Sequence, residues 1–580
     1  MGPGEQEAGR AAGVSGTAAL PAAGPQRGVL QDGVPQDGVP QDGPAGVRAG
    51  RRLVPRTPAG LIITAATLLG LGLRLYQLAR PGHLLGVTEY DDGADFGSAL
   101  RLIDGVIPYR DFITVQPPGI TLLMVPAAVV SKLTSTAWAM AAGRILTVIA
   151  GAAGVLLGGL LVRHRGTLAV LVTCGVLAVY PGSVQSAHTV LLEPWLVLFC
   201  LAGTVIAFDG DNLAGSSWRL AWGGAALGFA GAIKVWAVIP VAVIAIVSLP
   251  GLRRTALFLA GVAAGFAVPV LPFAVAAPRA LYDSVVVAQL TRTGTRTPFW
   301  FRIQEMTGLT DGHPADAVLA AAAVAAVALT AGACAGAWLV TRRPPPALEV
   351  FALVTAALVV ASFLLPDDFY YHYAGFLAPF LALSLALPAG RLLDAVTGSR
   401  SRVPGQPGSA GRRPGWAGRR PGWAGARLAV ALTGAAGLVI VVLPFAVPRA
   451  ENAPTPVYPV AAVKRVIPAG ACVLTDQESL LIASDRFTSD VPGCSLMVDA
   501  TGTDYVLGHG RNGLTAGRVP AVAAVWRAAF DAAQYVWLTP YNTLRIAWTP
   551  ELEAYFHRNF TLARGPWAPL SLYVRNGLPG

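Results

Sequence analysis

Residues 58–78 read PAGLIITAATLLGLGLRLYQL, an apolar run whose one formal charge is Arg74. As a helix rising 1.5 Å per residue, such a run reaches about 30 Å, the thickness of a bilayer's hydrocarbon core. Comparable runs follow at 138–162, 167–181, 189–208, 218–232, 235–249, 255–276, 315–340, 347–365, 371–388 and 428–447. The expected fold class is therefore mainly α: a polytopic transmembrane helical bundle of about eleven spans. Composition agrees, at 54% hydrophobic and 13% charged, with mean hydropathy +0.55. Globular chains average about 25% charged. The deficit excludes a disordered chain and one large soluble domain, and no Gly-x-y period points to collagen.

Arg48, Arg51, Arg52 and Arg56 precede the first run, so it reads as an uncleaved anchor with a cytoplasmic N-terminus. A signal peptide would lie nearer residue 1 and end in a small-residue cleavage site. Residues 1–57 are Gly/Pro/Ala-rich and repeat Gln-Asp-Gly-Val-Pro, which predicts a disordered cytoplasmic tail. Residues 118–134 carry Pro126 and are bounded by Pro117-Pro118 and Lys132, and read as a helix in the outer interface. Residues 218–250 read as two short spans meeting near Lys234.

With that count, Arg163, Arg165, Arg219, Arg253, Arg254, Arg342, Arg343 and the basic loop 391–427 all fall inside. Loops 182–188 and 366–370 hold no Lys or Arg and fall outside. The net charge of +11 thus reflects sidedness in a cell membrane, with no nucleic-acid partner implied. The transmembrane domain is 58–447, with external loops 79–137 and 277–314. The tail 448–580 is expected to be a small extracytoplasmic α/β domain. Its β-like runs are 471–475, 535–538 and 571–574, alternating with helical patterns at 478–483, 521–533 and 551–560. Cys174, Cys200 and Cys334 lie in apolar runs and read as core residues. An extracytoplasmic tail makes a Cys472–Cys494 disulfide the expectation, against two free thiols.

The first external loop carries Glu89-Tyr-Asp-Asp-Gly-Ala-Asp95, then Pro108-Tyr-Arg-Asp-Phe112, then Gln116-Pro-Pro-Gly119. Crowded carboxylates repel and raise at least one pKa, which suits a general base for a hydroxyl. A solvated acidic loop or a cation site is the plainer alternative. Glu193 opens the fourth span at its outer end, where a carboxylate is costly unless paired or functional; the alternative is snorkelling. Lys234, at an outer turn, wants an anionic partner: a lipid phosphate or Glu193. Asp367-Asp-Phe-Tyr-Tyr-His-Tyr373 opens a late span as an aromatic belt, or places Tyr371 and His372 against a phosphate or sugar. Arg292, Arg296 and Arg302 are further phosphate candidates or an ordinary solvated loop. No P-loop, Cys-x-x-Cys pair or His-Glu-x-x-His occurs, so no metal ligand is assigned. Asp209-Gly-Asp211 resembles the Asp-x-Asp of nucleotide-sugar enzymes but lies in a short inner loop.

Together these features resemble the GT-C superfamily of membrane glycosyltransferases. That group includes protein O-mannosyltransferases, lipid A aminoarabinose transferases and actinobacterial mannosyl- and arabinosyltransferases. The resemblance covers about residues 58–390: the acidic pair after the first span, Tyr109-x-Asp111-Phe112 with Pro117-Pro118-Gly119, Glu193-Pro194, Lys234 and Tyr371-His372-Tyr373. The family pattern is commonly Asp-Glu, where this chain has Asp91-Asp92. The resemblance implies Asp91 as catalytic base, with Asp92 orienting a substrate. It also implies acceptor positioning by Glu193 and Asp111, and donor-phosphate binding by Lys234, His372 and Tyr371. It implies a polyprenyl-phosphate sugar donor and an acceptor hydroxyl at the extracytoplasmic face. Abundant Arg, Ala and Gly with little Lys suggest a GC-rich, actinobacterial source. A cell-envelope glycan or glycolipid is then the expected acceptor. A divalent cation has room among the carboxylates, but nothing requires one. The competing readings are a secondary transporter or lipid flippase, and a non-catalytic envelope scaffold.

Overall fold

The computed structural model describes residues 58–294, 296–310, 314–397 and 460–578. The expected span 428–447, the tail 1–57 and most of loop 391–427 lie outside the described residues. The remaining expected spans fall on helices: α1 (Pro58–Ala79), α4 (Thr136–Val162), α5 (Gly166–Val179), α7 (Leu192–Ala207), α8 (Ser217–Gly231), α9 (Val238–Ser248), α10 (Leu252–Ala276), α14 (Asp316–Thr341), α15 (Ala347–Leu364) and α16 (Ala374–Thr397). Between them stand α2 (Asp91–Ile103), α3 (Gly119–Val129), α6 (Pro181–Gln185), α11 (Pro278–Tyr282), α12 (Ala288–Thr291) and α13 (Phe299–Thr307). Among the described residues, 6 helical stretches are long and apolar enough to cross a membrane, with Thr136–Val179 taken as one. Helices α7, α8 and α9 have 16, 15 and 11 residues, short of the roughly 20 that a span needs. The count of eleven is thus not established by length alone.

Helix α1 packs on α4 and α5, α7 lies between α4 and α8, and α16 packs on α5, α14 and α15. The tightest pair is α8 with α10. Cβ atoms added at Gly224 and Gly228 would lie 2.1 and 2.0 Å from the carbonyls of Phe258 and Val262. Gly261 and Gly265 meet the carbonyls of Ala221 and Ala225 reciprocally, each at 2.0 Å. Two glycines four apart on each helix let the backbones touch, as in the small-xxx-small packing of membrane helices. The charge in the opening run is also accounted for. Arg74 is buried and donates to the carbonyls of Leu177 (3.2 Å) and Ala178 (3.4 Å) at the α5 C-terminus, and to Ser183 (3.0 Å). It thereby satisfies carbonyls that a helix end leaves free, at the negative pole of the α5 dipole.

The segments expected inside gather at one end. The hairpin β1 (Phe208–Asp209) and β2 (Asn212–Leu213) turns at Gly210, so Asp209-Gly-Asp211 is a turn. Asp211 accepts from Arg165 Nε (2.6 Å) and lies 2.7 Å from His164 Nε2. Nearby, Arg391 donates to buried Glu349 (2.7 Å) and to the Arg343 carbonyl (3.1 Å).

At the other end stands the C-terminal region. Its sheet runs in the order β3 (Val473–Thr475), β4 (Tyr535–Leu538), β6 (Ser571–Arg575), β5 (Phe560–Leu562). Only β3 and β4 are parallel. Alternation along the strands gives the sheet two buried faces. Tyr535, Trp537, Leu572 and Val574 share a core with Phe96, Leu100, Ile120 and Met124 of α2 and α3. Val536 and Leu538 face Val522, Trp526, Phe530, Leu552 and Phe556 on helices Pro520–Ala532 and Pro550–Asn559. Cys472 and Cys494 are bridged, with Cα atoms 5.5 Å apart.

Candidate active site

The docking of the C-terminal region on the first loop encloses the site. Gln477 Nε2 and Ser479 Oγ donate to the Glu89 carbonyl (3.0 and 2.9 Å), and Tyr90 Oη donates to Asp499 (2.8 Å). A cavity of about 360 Å³ opens between them, lined by Asp91, Asp95, Lys234, Arg292, His372 and Arg545 among others. Segments expected outside (89–95, 292–294, 368–373 and the tail) all meet there.

Asp91 is the first residue of α2, and its side chain is 44% exposed to the cavity. Burial pushes its carboxyl up, but His372, Lys234 and Arg292 outweigh that and hold it below the usual carboxylate range. One helical turn on, Asp95 lines the same cavity with no hydrogen-bond partner on Oδ2. Burial and the Asp91 charge push Asp95 well above the carboxylate range. The two acids are thus driven apart, one toward the ionised form and one toward the protonated form. Beside them, burial pushes Glu89 up to about 7 against the hydrogen bond that Tyr371 Oη donates to it.

The cationic side is built on Glu193. This fully buried carboxylate opens α7; its Oε1 accepts from Lys234 Nζ (2.7 Å), and its Oε2 lies 2.9 Å from His372 Nδ1. His372 Nε2 in turn stands 3.5 Å from Asp91 Oδ2. Lys234 sits 4.2 Å from the ring centroids of Trp236 and Tyr373. Arg292 donates to Tyr370 Oη (2.6 Å) and lies 3.1 Å from Asp368. Arg545 lies 4.5 Å over the Tyr90 ring and donates to Gln477 (2.8 Å).

Asp91, Lys234, Tyr371 and His372 therefore line the cavity, with Glu193 directly behind them. Two expected residues do not. Asp92 is fully buried away from the cavity, where its Oδ2 accepts from Arg144 (2.9 Å), Thr189 (2.6 Å) and Thr88 (3.1 Å). Adjacent residues on a helix point about 100° apart, so only one of the acidic pair faces the opening. Asp92 ties α2 to α4. Asp111 also lies off the cavity, in the turn at Tyr109 (φ 69°), accepting from Ile107 N (2.7 Å) and Arg110 Nε (2.8 Å). Arg296 and Arg302 do not line the cavity; Arg302 donates to the carbonyls of Phe363 (2.7 Å) and Asp367 (2.6 Å). Asp95 stands in the acidic cluster quoted from the sequence but has no separate role there, and Asp499 and Arg545 are not singled out by the sequence. The i, i+4 spacing of Asp91 and Asp95 was a usable signal for the first; the others lie some 400 residues away in sequence. No group of His, Cys, Asp and Glu suited to a metal ion occurs among the described residues.

No family model and no curated protein matches the chain. Solved structures do. ArnT from Cupriavidus metallidurans bound to undecaprenyl phosphate superposes with TM-score 0.53 at 15% identity, covering 90% of this chain and 98% of that one. Its apo state gives 0.52 at 14%, covering 89% and 98%. An Archaeoglobus fulgidus oligosaccharyltransferase in complex with zinc and sulfate gives 0.48 at 13%, covering 83% and 68%. The chain has the fold of the two ArnT structures.

Proposed function

We propose that this protein is an inverting membrane glycosyltransferase that moves a sugar from a polyprenyl-phosphate donor to an acceptor hydroxyl. The observation that carries the reading is Asp91, open to a cavity that Lys234 and Arg292 also line. The acceptor O–H gives its proton to Asp91 as its oxygen bonds the anomeric carbon. The bond from that carbon to the phosphate oxygen breaks, and polyprenyl phosphate leaves with its electron pair. The negative charge growing on phosphate is met by fixed cations, the electrostatic contribution that usually dominates such chemistry. His372 and Glu193 hold Asp91 and Lys234 in place. Undecaprenyl phosphate in the ArnT structure supports a lipid-linked donor.

The site belongs at the extracytoplasmic face. The cavity stands at the end opposite Arg165, Arg343 and Arg391, and the region that roofs it carries a disulfide, a bond of oxidising compartments. The test is transfer by purified protein in lipid, supplied with radiolabelled polyprenyl-phosphate sugars and envelope extract. Consumption of one donor by wild type and not by Asp91→Asn supports the reading. If wild type consumes none, the transporter and scaffold readings replace it.

A further inference from the structure

A second cavity, of about 380 Å³, opens in the C-terminal region, within the size range of binding sites for small ligands. Trp548 and Tyr573 line it, with Asn542, Ser571, Glu553 and His557. Register explains its position. Leu538 pairs with Ser571 and Val536 with Tyr573, so Ser571 and Tyr573 project from the same sheet face as the core that helix Pro550–Asn559 covers. The cavity lies where that cover stops, at the end of β4 and the start of β6.

We infer that this cavity binds a glycan, as an outer subsite for the acceptor; the inference rests on the function proposed above. Aromatic rings take the C–H faces of sugars, while an amide, a hydroxyl and a carboxylate pair with sugar hydroxyls. Glu553 and His557 are exposed at the rim, and Trp548 Nε1 donates to Asn542 Oδ1 (3.2 Å), which orients that amide. The two cavities share one wall. Asn512, Tyr541 and Leu544 line the first, and Gly513, Leu514, Asn542 and Thr543 line the second. The wall is thin because Gly513 lies against the Leu544 backbone: a Cβ there would stand 2.6 Å from that carbonyl oxygen. A chain of several sugars crossing this wall has its reactive end at Asp91 and its body at Trp548. The acceptor class is then an oligosaccharide or polysaccharide, not a single sugar.

The test compares acceptor fragments of two and six sugars cut from envelope polysaccharide, with wild type, Trp548→Ala and Glu553→Gln/His557→Ala. We expect wild type to show a KM for the longer fragment at least tenfold lower. Both variants should lose that advantage while keeping kcat and the KM for the short fragment. The exposed pair guards against a folding defect in the tryptophan variant. Transfer by wild type without a length preference, or variants that leave it intact, overturns the subsite and leaves the transferase standing. If wild type consumes donor with envelope extract yet transfers to neither fragment, the subsite is overturned and the transferase stands; if it consumes no donor at all, the transferase reading fails first. The subsite is then judged by binding of the six-sugar fragment in the absence of donor, and binding equal in wild type and both variants overturns it.

Discussion

Lys234 Nζ lies 2.7 Å from Glu193 Oε1 at the edge of the cavity, with the carboxylate fully buried and the lysine nearly so. The pair joins α7 to the break between α8 and α9, so it holds the two short helices as well as the cavity wall. A buried pair contributes little net stability, but deleting one partner strands a charge at about 3–5 kcal/mol. Glu193→Gln should therefore lower thermal stability clearly. Replacing both residues, as Glu193→Gln with Lys234→Met, should restore the part due to Lys234, but not the part due to His372 Nδ1, 2.9 Å from the carboxylate, while transfer stays lost. Thermal unfolding in lipid, run beside the transfer assay, separates the two effects. Recovery of transfer in the double variant would contradict a role for Lys234 at the leaving phosphate.

Asp91→Asn is expected to keep the fold, because the carboxylate is open to the cavity and its contact with His372 Nε2 is a long one, at 3.5 Å. General-base help is typically worth about 10²–10⁴-fold in rate. The variant should lose about that much kcat and keep its unfolding temperature. Wild-type turnover in Asp91→Asn would remove Asp91 from the mechanism.

Asp92→Asn is expected to behave the opposite way. Arg144 donates to Asp92 (2.9 Å) and to the carbonyls of His83 and Leu84 (both 2.8 Å), joining α2, α4 and the loop after α1. Removing the charge leaves a buried guanidinium without its counter-ion, a loss of about 3–5 kcal/mol. Unfolding should shift well below that of Asp91→Asn, while turnover per folded molecule stays near wild type. A loss of turnover without a loss of stability would return Asp92 to the chemistry.

The contrast between these two neighbours shows what the sequence alone could carry. The apolar runs and the tail's alternation of β-like and helical patterns were legible, since 3.6- and 2-residue periods follow from burial. Strands at 473–475, 535–538 and 571–575 and helices at 478–483, 520–532 and 550–559 stand where patterning put them. The resemblance assigns Asp92 a substrate role by its place in the motif, whereas α2 turns Asp92 into the protein and sets Asp91 and Asp95 on the cavity. The contribution of Arg545 and Asp499 depends on the tail folding back onto Tyr90, and no local period encodes a contact of that range.

The C-terminal region should lose stability as pH rises. Burial pushes Glu478 up from 4.5 to about 8, and Asp504 up from 3.8 to about 8. Both are acids with a raised folded pKa, so the unfolded chain ionises first. Their contribution is full below about pH 4, declines from there and is gone above about pH 8. Unfolding of the full-length protein followed across that range should show a falling temperature, and Glu478→Gln should flatten part of the slope. A temperature that rises between pH 5 and 8 in wild type, or a slope unchanged in the variant, would contradict the assignment.

The disulfide closes a loop of 22 residues that begins one residue before β3 and ends three residues after Val491 in an otherwise irregular segment. Cross-linking a loop of that length removes chain entropy from the unfolded state worth about 3 kcal/mol. The loop holds Asp476, Gln477, Glu478 and Ser479, and Gln477 and Ser479 are the residues that fasten the tail to Glu89. Cys472→Ser with Cys494→Ser should therefore loosen the roof of the cavity before it affects the helices beneath. Hydrogen exchange is expected to rise at 472–494 and at 499–505, with α4 and α5 unchanged, and acceptor KM should rise more than kcat falls. Exchange that rises equally in the helical bundle would show the bridge holding the whole molecule, not the roof alone.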